Sequence, residues 1–537
     1  MKNLGIIDLS HDKSSIGTDI CFFKEVFPSI SFFKFFLNRV SQIEGLDKVV
    51  AIVHHNLISK VERELISFPD IDFYPIPEGN KVRHYLDQNI IESSRKWGYR
   101  SLRGGAYETS FYDELLPMEI IKQIAEQIDA ESILYLNPEM PLFDLEYTHQ
   151  IMNAESKGEK TPPFYIRQTV QGLCPLFITE TGLKEFKKNN WSARVVLKTH
   201  PGGDGLTILH KYIENSTIDL SRGSFLLRCK NDFEHLTWVL NRLAEKEKPF
   251  NAENLILESK EYDHSISMEV DIECSSESFS HSTRLPQDIP DYHIDINIFN
   301  KVYNEICDWE TGRLSIGDLT DTLGHPMVDE IKEILKSKKP YGLHIILNVE
   351  KIIKNQDLMD WFTIPMDILT LRVTSLCYSL FNSIDDLSDI LEYLKNQFNN
   401  NKLNFPAVNL ELHKNEDNIY DIHKIAELAD RYGVSYNWIP YNDYCGQLET
   451  SEIIQSLPNN RYPCEKLLNQ MYILSNGNVS SCKQDYKGKQ TWGNVHENSL
   501  AEIWNSEAYV KARKEQISGI YDQTTPLCKN CQRWNHT

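Results

Sequence analysis

The sequence predicts an α/β protein in three parts: an N-terminal α/β domain over residues 1–255, a central partial (β/α)6 barrel over 256–445 and a small C-terminal domain over 446–537. In the first part, apolar strand-like runs alternate with helical runs, which is typical of α/β layers. In the second part, six strand candidates alternate with helices. In the third part the elements are short, and four of the 11 cysteines of the chain follow residue 463.

The composition restricts the class of protein. A chain of 537 residues is too long for one hydrophobic core. Its formal net charge of −21 disfavours non-specific binding to nucleic acids, because neutralising phosphates requires clustered Lys and Arg. No stretch approaches the roughly 18 uninterrupted apolar residues of a spanning helix, and the first residues lack the pattern of a signal peptide. We therefore expect a cytoplasmic protein with reduced thiols, no membrane span and no nucleic-acid partner.

The first part contains clear strand and helix candidates. Residues 48–53 and 132–136 are apolar runs that predict buried strands, and residues 118–128 have the periodicity of an amphipathic helix. A charged, proline-containing connector at 246–254 ends this pattern.

The second part begins with the clearest strand candidate of the chain, residues 265–273, where every second residue from Ile266 to Ile272 is apolar and the others are polar. The further strand candidates are 314–317, 343–347, 368–373, 408–412 and 436–439. The helix candidates between them are 298–309, 328–336, 386–397 and 422–432. This alternation predicts a parallel sheet, open or curled into a partial barrel, because parallel strands need crossover connections. A closed eight-stranded barrel would need a longer chain.

The third part begins with a predicted hairpin. Residues 471–474 and 479–482 flank a turn that contains Gly477. Ser499, with Glu502 three residues later, forms a capping box that predicts the start of a helix.

Four cysteines around this hairpin form the most specific pattern in the sequence. Cys464 is followed by twelve residues, Gly477, four residues and Cys482, and a CxxC pair, Cys528 and Cys531, comes later. Four thiolates complete the coordination of a [4Fe-4S] cluster or of a tetrahedral zinc ion. The other cysteines are scattered and are predicted to be mostly buried small hydrophobes: Cys21, Cys174, Cys229, Cys274, Cys307, Cys377 and Cys445.

This pattern, together with the segments at 492–495 and 499–506, resembles the SPASM domain. That domain is usually a C-terminal appendage of radical SAM enzymes and holds auxiliary iron–sulfur clusters. The full family pattern has further cysteines after the CxxC pair, which this sequence lacks. The resemblance therefore implies a single cluster with Cys464, Cys482, Cys528 and Cys531 as its ligands. A zinc ribbon is the alternative, because zinc accepts four thiolates equally well.

The second part resembles the radical SAM barrel but has lost much of its chemistry. The family's CxxxCxxC motif aligns with Cys274, Ser278 and His281, so one thiolate of three remains. In the family's glycine–glutamate motif, which holds the methionine amino group, Thr320, Asp321 and Thr322 replace the Gly, Glu and Pro, and His325-Pro326 is retained. The resemblance implies a degenerate barrel that does not cleave S-adenosylmethionine. The alternative is an active site that uses Cys274, His281 and a third ligand.

The N-terminal part resembles sugar-nucleotide-forming nucleotidyltransferases over residues 136–144. The resemblance implies Mg²⁺ ligation by Glu139, which replaces the family's first aspartate, and by the retained Asp144. The family's phosphate loop is rich in Gly and Arg, whereas residues 9–17 offer one Gly and one Lys, and only residues 103–105 (Arg-Gly-Gly) suggest another phosphate contact. We therefore expect the fold without transfer activity.

Taken together, the three parts resemble the spiro-SPASM proteins over essentially the whole chain. This resemblance implies an iron–sulfur protein that serves electron transfer or recognises a peptide or protein partner. The alternative functions are a radical SAM-type enzyme that modifies a peptide or protein, and a nucleotidyltransferase that acts on a sugar phosphate.

Overall fold

The computed structural model divides the chain into two compact units, Met1–Tyr262 and Asp263–Thr537. It describes residues 2–10, 22–76, 96–97, 117–154, 164–167, 170, 172–189, 211–213, 224–276, 292–349, 358–373, 382–401, 406–413, 422–432, 434–439, 443–447, 463–521 and 526–531. None of the helices in these ranges combines the length and the apolar character needed to cross a membrane.

The first unit alternates strands and helices. Its described strands are β1 (Asn3–Leu9), β2 (Glu25–Phe27), β3 (Ile30–Ser31), β4 (Lys48–His54), β5 (Ile71–Ile76), β6 (Ser132–Leu136), β7 (Phe164–Arg167), β8 (Leu176–Ile178) and β9 (Lys211–Ile213). Its described helices are α1 (Phe32–Val40), α2 (Ile58–Leu65), α3 (Met118–Ile128), α4 (Leu145–Met152), α5 (Glu180–Asn189), α6 (Lys230–Glu245) and α7 (Ala252–Ser259). The strands predicted at 48–53 and 132–136 and the helix predicted at 118–128 are thus confirmed.

Seven of these strands form one mixed sheet in the order β5-β4-β1-β6-β8-β7-β9. Strands β5, β4, β1 and β6 are parallel, whereas β8 is antiparallel to both β6 and β7. The carboxyl ends of β1 and β6 therefore lie side by side, and the Tyr135 hydroxyl donates to Asp8 Oδ2 over 2.5 Å. Glu139 and Asp144 follow β6 at this same edge of the sheet.

Helices α6 and α7 end the first unit and are joined by a buried carboxylate. The Glu258 side chain on α7 is 2% exposed, and Lys246 Nζ donates to its two oxygens over 2.7 and 2.6 Å. Lys248 Nζ adds a third contact at 3.1 Å. The predicted division after residue 255 falls inside α7. The boundary between the two compact units follows Tyr262, because this ion-paired helix packs with α6 in the first unit.

We expect Glu258→Gln to lower the free energy of unfolding of the first unit by about 1–2 kcal/mol at pH 7, because the lysines lose their partner. The hydrogen bond from Lys246 lowers the pKa of the Glu258 carboxyl below its usual 4.5. A depressed carboxyl pKa stabilises the fold above the pKa of the unfolded chain, and this contribution disappears as the pH falls through the folded pKa. Urea unfolding at pH 7 and near pH 3.5 checks this, since an equal difference at both values would contradict it.

The second unit is built around one large sheet. Its described strands are β10 (Glu269–Ile272), β11 (Arg313–Ile316), β12 (Gly342–Asn348), β13 (Ile368–Val373), β14 (Ala407–His413), β15 (Ser435–Ile439), β16 (Gln470–Ile473), β17 (Asn478–Ser480) and β18 (Thr491–Asn494). Its described helices are α8 (Ile296–Asp308), α9 (Val328–Ser337), α10 (Leu358–Phe362), α11 (Asn382–Asn401), α12 (Ile422–Tyr432), α13 (Glu465–Asn469), α14 (Leu500–Trp504) and α15 (Glu507–Ile517).

Strands β10 to β15 are parallel neighbours in chain order, as the predicted alternation of six strands with helices requires. The predicted hairpin is confirmed as β16 and β17, and β16 pairs in parallel with β10. The C-terminal elements therefore extend the barrel sheet instead of forming a separate one. The predicted capping box is also present, since Ser499 and Glu502 bond each other's backbone N–H groups at the start of α14.

The strand predicted over residues 265–273 is shorter in the structure, where β10 begins at Glu269. The preceding residues bond to side chains of the C-terminal elements. Trp504 Nε1 donates to the His264 carbonyl, and Asn505 Nδ2 donates to the Ser265 carbonyl, both over 2.8 Å. These residues are thus held by hydrogen bonds to side chains instead of by ladder pairing in the sheet.

The parallel sheet has one apolar and one polar face. Val270 and Ile272 of β10 belong to the hydrophobic core, whereas the alternate residues of the strands are mostly polar and buried. A row of hydrogen bonds crosses this polar face: Ser315 Oγ contacts His344 Nδ1 at 2.7 Å, and His344 Nε2 contacts Thr370 Oγ1 at 2.9 Å. The sheet therefore presents a lining of polar groups opposite the face that packs on the helices.

Candidate metal centre

The four predicted cysteine ligands lie on three separate elements of the second unit. Cys464 is the N-cap of α13, and Cys482 follows β17. Cys528 and Cys531 lie at the two ends of a short 3-10 turn, Cys528–Asn530. All four are partly buried.

Gly477 permits the hairpin that returns the chain to Cys482. Its φ angle of +81° lies in the left-handed region, which non-glycine residues adopt at a cost. A Cβ at this position would also lie 2.5 Å from the His496 ring. Both observations explain why a glycine stands at position 477, with four residues between it and Cys482.

The thiols of the other three predicted cysteines lie near the Cys482 thiol. Burial raises the pKa of the Cys482 thiol well above its usual value. Three neighbouring thiols raise this pKa further, and they belong to Cys464, Cys531 and Cys528. Within the described ranges, no three His, Cys, Asp or Glu side chains already have the geometry of a metal site. The donor set itself, four converging thiols, fits an iron–sulfur cluster or zinc.

A buried glutamine links two of these cysteines. Gln516 on α15 is fully buried, and its Oε1 accepts a 3.1 Å hydrogen bond from the Cys464 backbone N–H. Its Nε2 donates to Cys528 Sγ at 3.8 Å. Gln516 thus holds the Cys464 backbone and the Cys528 side chain in place, a contact that the cysteine spacing did not reveal.

Two lysines place positive charge beside the thiols. Lys483 directly follows Cys482, and its Nζ lies 2.7 Å from Asp318 Oδ2. Burial lowers the pKa of Lys466 to about 8, and the charge of Lys483 lowers it as well. Burial raises the pKa of Asp318, but the charges of Lys483 and Arg372 outweigh this effect and hold that pKa below its usual range. When these thiols lose their protons to bind a metal, the two cations would offset the resulting negative charge.

A fifth cysteine, which the sequence analysis assigned to the scattered group, also reaches this centre. A hydrogen bond with Cys531 raises the pKa of the buried Cys445 thiol, and burial raises it further. The thiols of Cys482 and Cys528 are also close enough to contribute. No spacing motif joins Cys445 to the other four cysteines, so the sequence carried no signal for this neighbour.

Of the three positions that align with the radical SAM motif, only Cys274 lies in the described residues, and Ser278 and His281 fall outside them. Cys274 is completely buried in the hydrophobic core, and its carbonyl accepts a 3.0 Å hydrogen bond from Ile294 N. Burial raises the pKa of its thiol well above the usual value, and the neighbouring Glu273 raises it further. This environment is that of a packed thiol.

The segment that resembles the glycine–glutamate motif is closed by internal hydrogen bonds. Asp321 Oδ1 accepts from Leu323 N at 3.1 Å. The two ring nitrogens of His325 contact the Ile294 carbonyl and Met327 N, both at 3.0 Å. Asp321 Oδ1 and both His325 ring nitrogens thus form hydrogen bonds with backbone atoms of the chain.

Glu273, which the sequence analysis did not single out, is the centre of the same region. Its carboxylate accepts from the backbone N–H groups of Leu319 and Thr320 over 2.8 and 2.9 Å. It also accepts from the hydroxyls of Thr320 and Tyr472, the latter on β16. Glu273 therefore joins the first barrel strand to the hairpin of the metal centre.

The proposed Mg²⁺ ligands of the first unit have different surroundings. Asp144 is the N-cap of α4, and its two carboxylate oxygens accept from Tyr147 N at 2.9 Å and Ala252 N at 2.7 Å. Both carboxylate oxygens of Asp144 thus accept hydrogen bonds from backbone N–H groups, one of them as a helix N-cap. Glu139 is 1% exposed, and its backbone N–H donates to Asn137 Oδ1. Residues 103–105, the predicted phosphate contact, and residues 11–17 of the segment that aligns with the phosphate loop lie outside the described residues.

Asp144→Ala is expected to lower the free energy of unfolding of the first unit by about 1–2 kcal/mol, because two backbone N–H groups lose their acceptor. Asp144→Asn is the matched control, since its amide oxygen still accepts one of these bonds, and we expect a smaller loss. Chemical denaturation of both variants checks this. Equal stability of Asp144→Ala and the unmodified protein would contradict the capping role.

A comparison with protein families finds a match over the segment that contains the four predicted cysteines. Residues 464–532 match the SPASM family, described as an iron-sulfur cluster-binding domain. The matched segment contains all four predicted ligands and excludes Cys445. An uncharacterized protein of Treponema pallidum (strain Nichols) is 33% identical over 88 residues, which cover 16% of this chain and 24% of that protein.

Three solved structures share parts of the fold at low identity. BtrN in complex with AdoMet and 2-DOIA is 15% identical with a TM-score of 0.35, over 50% of this chain and 94% of that one. Streptococcus suis SuiB bound to precursor peptide SuiA is 12% identical with a TM-score of 0.39, over 56% and 74%. A cytidylyltransferase from Leptospira borgpetersenii serovar Hardjo-bovis (strain JB197) is 12% identical with a TM-score of 0.34, over 48% and 93%.

Proposed function

We propose that this chain is an iron–sulfur protein that holds one [4Fe-4S] cluster through Cys464, Cys482, Cys528 and Cys531. The observation that carries the proposal is the convergence of these four thiols within the segment that matches the iron–sulfur family. Four cysteine ligands leave no open iron, so such a cluster supplies electron transfer or structure rather than Lewis-acid chemistry. Gln516 orients the sulfurs of this site, and Lys466 and Lys483 offset their charge.

The barrel, in this proposal, is related to radical SAM enzymes but does not cleave S-adenosylmethionine. Of the aligned motif residues only Cys274 is a cysteine, and it is buried in the core with its thiol pKa raised. The role of the protein is then electron transfer or recognition of a peptide or protein partner. Similarly, we propose that the first unit is a nucleotidyltransferase-like domain without transfer activity, because the Asp144 carboxylate caps a helix.

Metal and sulfide analysis of anaerobically purified protein, with absorption spectroscopy, tests this proposal. We expect about four irons and four sulfides per chain and a broad band near ~400 nm. About eight irons would instead support an active radical SAM enzyme, which must then release 5′-deoxyadenosine from S-adenosylmethionine under strong reductant. One zinc without sulfide would overturn the cluster and make the centre a structural site.

Nucleotide binding tests the proposal for the first unit separately. We expect no saturable, Mg²⁺-dependent binding of CTP or UTP by isothermal titration calorimetry. If binding is found, and if it is lost in Glu139→Ala, the domain is a nucleotidyltransferase candidate instead.

A further inference from the structure

Cys445 lies in a short loop with an uncommon backbone. Tyr444, Cys445 and Gly446 are consecutive residues with positive φ angles of +50°, +60° and +78°. Non-glycine residues in this left-handed region cost free energy, and they persist when the surrounding structure determines them. Cys445 is nevertheless 6% exposed, so its side chain is buried rather than turned to solvent.

The loop is fastened to the hairpin that carries Cys482. Gln447 Nε2 donates to the Gln484 carbonyl over 2.7 Å, two residues after that cysteine, and also to the Tyr444 carbonyl over 2.9 Å. The Tyr444 ring contacts the Tyr486 ring edge to face, with centroids 5.5 Å apart. These contacts fix the loop where the Cys445 thiol meets the other sulfurs.

The Cys445 thiol makes its direct contact with Cys531, to which it is hydrogen-bonded. Cys531 is only partly buried and closes the 3-10 turn of the CxxC pair. The Cys445 thiol therefore lies beside three of the four proposed ligands, Cys531, Cys482 and Cys528, and the proposed cluster takes four thiolates. The Cys445 and Cys531 sulfurs are thus neighbours in hydrogen-bond contact.

We propose that Cys445 is a fifth thiol of the metal centre and an alternative ligand to Cys531. This inference rests on the proposed function in that it concerns the same four-ligand site. Either sulfur takes the fourth position while the other keeps its proton, so no oxidant or reductant enters the exchange. The fifth thiol would let the centre retain its metal when Cys531, on the partly exposed turn, is lost from coordination.

Four variants of the full chain test this inference: Cys445→Ser, Cys531→Ser, the double variant, and Cys307→Ser as the control. Cys307 is a partly buried cysteine on α8, next to Tyr303 and outside the group of five. The readouts are iron and sulfide content and the electron paramagnetic resonance spectrum of the reduced protein. We expect each single variant to keep at least about half of the iron, and the double variant to lose roughly tenfold or more.

Two results would overturn the inference. If Cys531→Ser alone is as depleted as the double variant, Cys445 does not replace it. If Cys445→Ser alone is depleted and Cys531→Ser is not, Cys445 is an obligatory ligand rather than an alternative one. Circular dichroism separates metal loss from misfolding. Cys445→Ala repeats the test without placing a serine hydroxyl in this buried site. If the unmodified protein holds zinc without sulfide, the cluster proposal fails, while the same comparison of zinc contents still tests Cys445.

Discussion

Cys482→Ser is expected to lower the iron and sulfide content of the purified protein by roughly tenfold or more, because it removes the thiol that three other thiols surround. Serine keeps the size of the side chain but supplies a hydroxyl that ligates iron poorly at neutral pH. Because metal binding contributes to folding free energy, the second unit should also unfold at lower denaturant concentration. Iron analysis and urea unfolding measure the two effects.

Two cysteine variants serve as controls for this prediction. Cys307→Ser should retain the iron content, since Cys307 lies outside the centre. Cys274→Ser should also retain it, because Cys274 is a core thiol in the proposed degenerate barrel. Half the iron lost on Cys274→Ser would indicate a second cluster in the barrel. Full iron in Cys482→Ser would contradict the assignment of the metal centre.

The regular elements of the fold were predictable because they depend on local patterns. The apolar run at 132–136 became β6, and the six strand candidates of the second part became neighbouring parallel strands. Sequence periodicity does not report partners across the chain, however. The pairing of β16 with β10, which makes the cysteine hairpin part of the barrel sheet, joins residues about two hundred positions apart.

The four cysteines of the candidate metal centre were predictable for the same reason. Its four predicted ligands follow from fixed spacings on a hairpin and a tight turn, which are local features. The neighbours Cys445 and Gln516 carry no such spacing, because tertiary packing alone brings them to the sulfurs. Asp144 is a further example: the family resemblance implied a metal ligand, whereas the hydrogen bond that its carboxylate accepts from Ala252 N, far along the chain, carries no local signal.

Arg372 connects the polar face of the barrel to the metal centre. This residue of β13 is 2% exposed, its Nε donates to Glu411 Oε1 over 2.5 Å, and its Nη1 donates to the Asp318 carbonyl over 2.6 Å. The Asp318 carboxylate in turn accepts from Lys483, the neighbour of Cys482. A continuous set of ion pairs thus runs from β14 to the cysteine hairpin.

We expect Arg372→Met to lower the free energy of unfolding of the second unit by about 3–5 kcal/mol, because the buried carboxylate of Glu411 loses its cation in a poorly solvated place. The double variant Arg372→Met with Glu411→Gln should recover part of this loss, since it removes both charges of the pair. Urea unfolding of the two variants, followed by tryptophan fluorescence, measures the effect.

Lys483→Met is the matched control for this prediction. It separates the buried Arg372–Glu411 pair from the partly exposed Lys483–Asp318 pair. The Lys483 side chain is 30% exposed and Asp318 keeps Arg372, so we expect a loss of at most about 1 kcal/mol. Equal losses in Lys483→Met and Arg372→Met would show that burial does not set the energetics of this network. A larger loss in Arg372→Met, together with a lower iron content, would show that the barrel face supports the metal centre through Asp318.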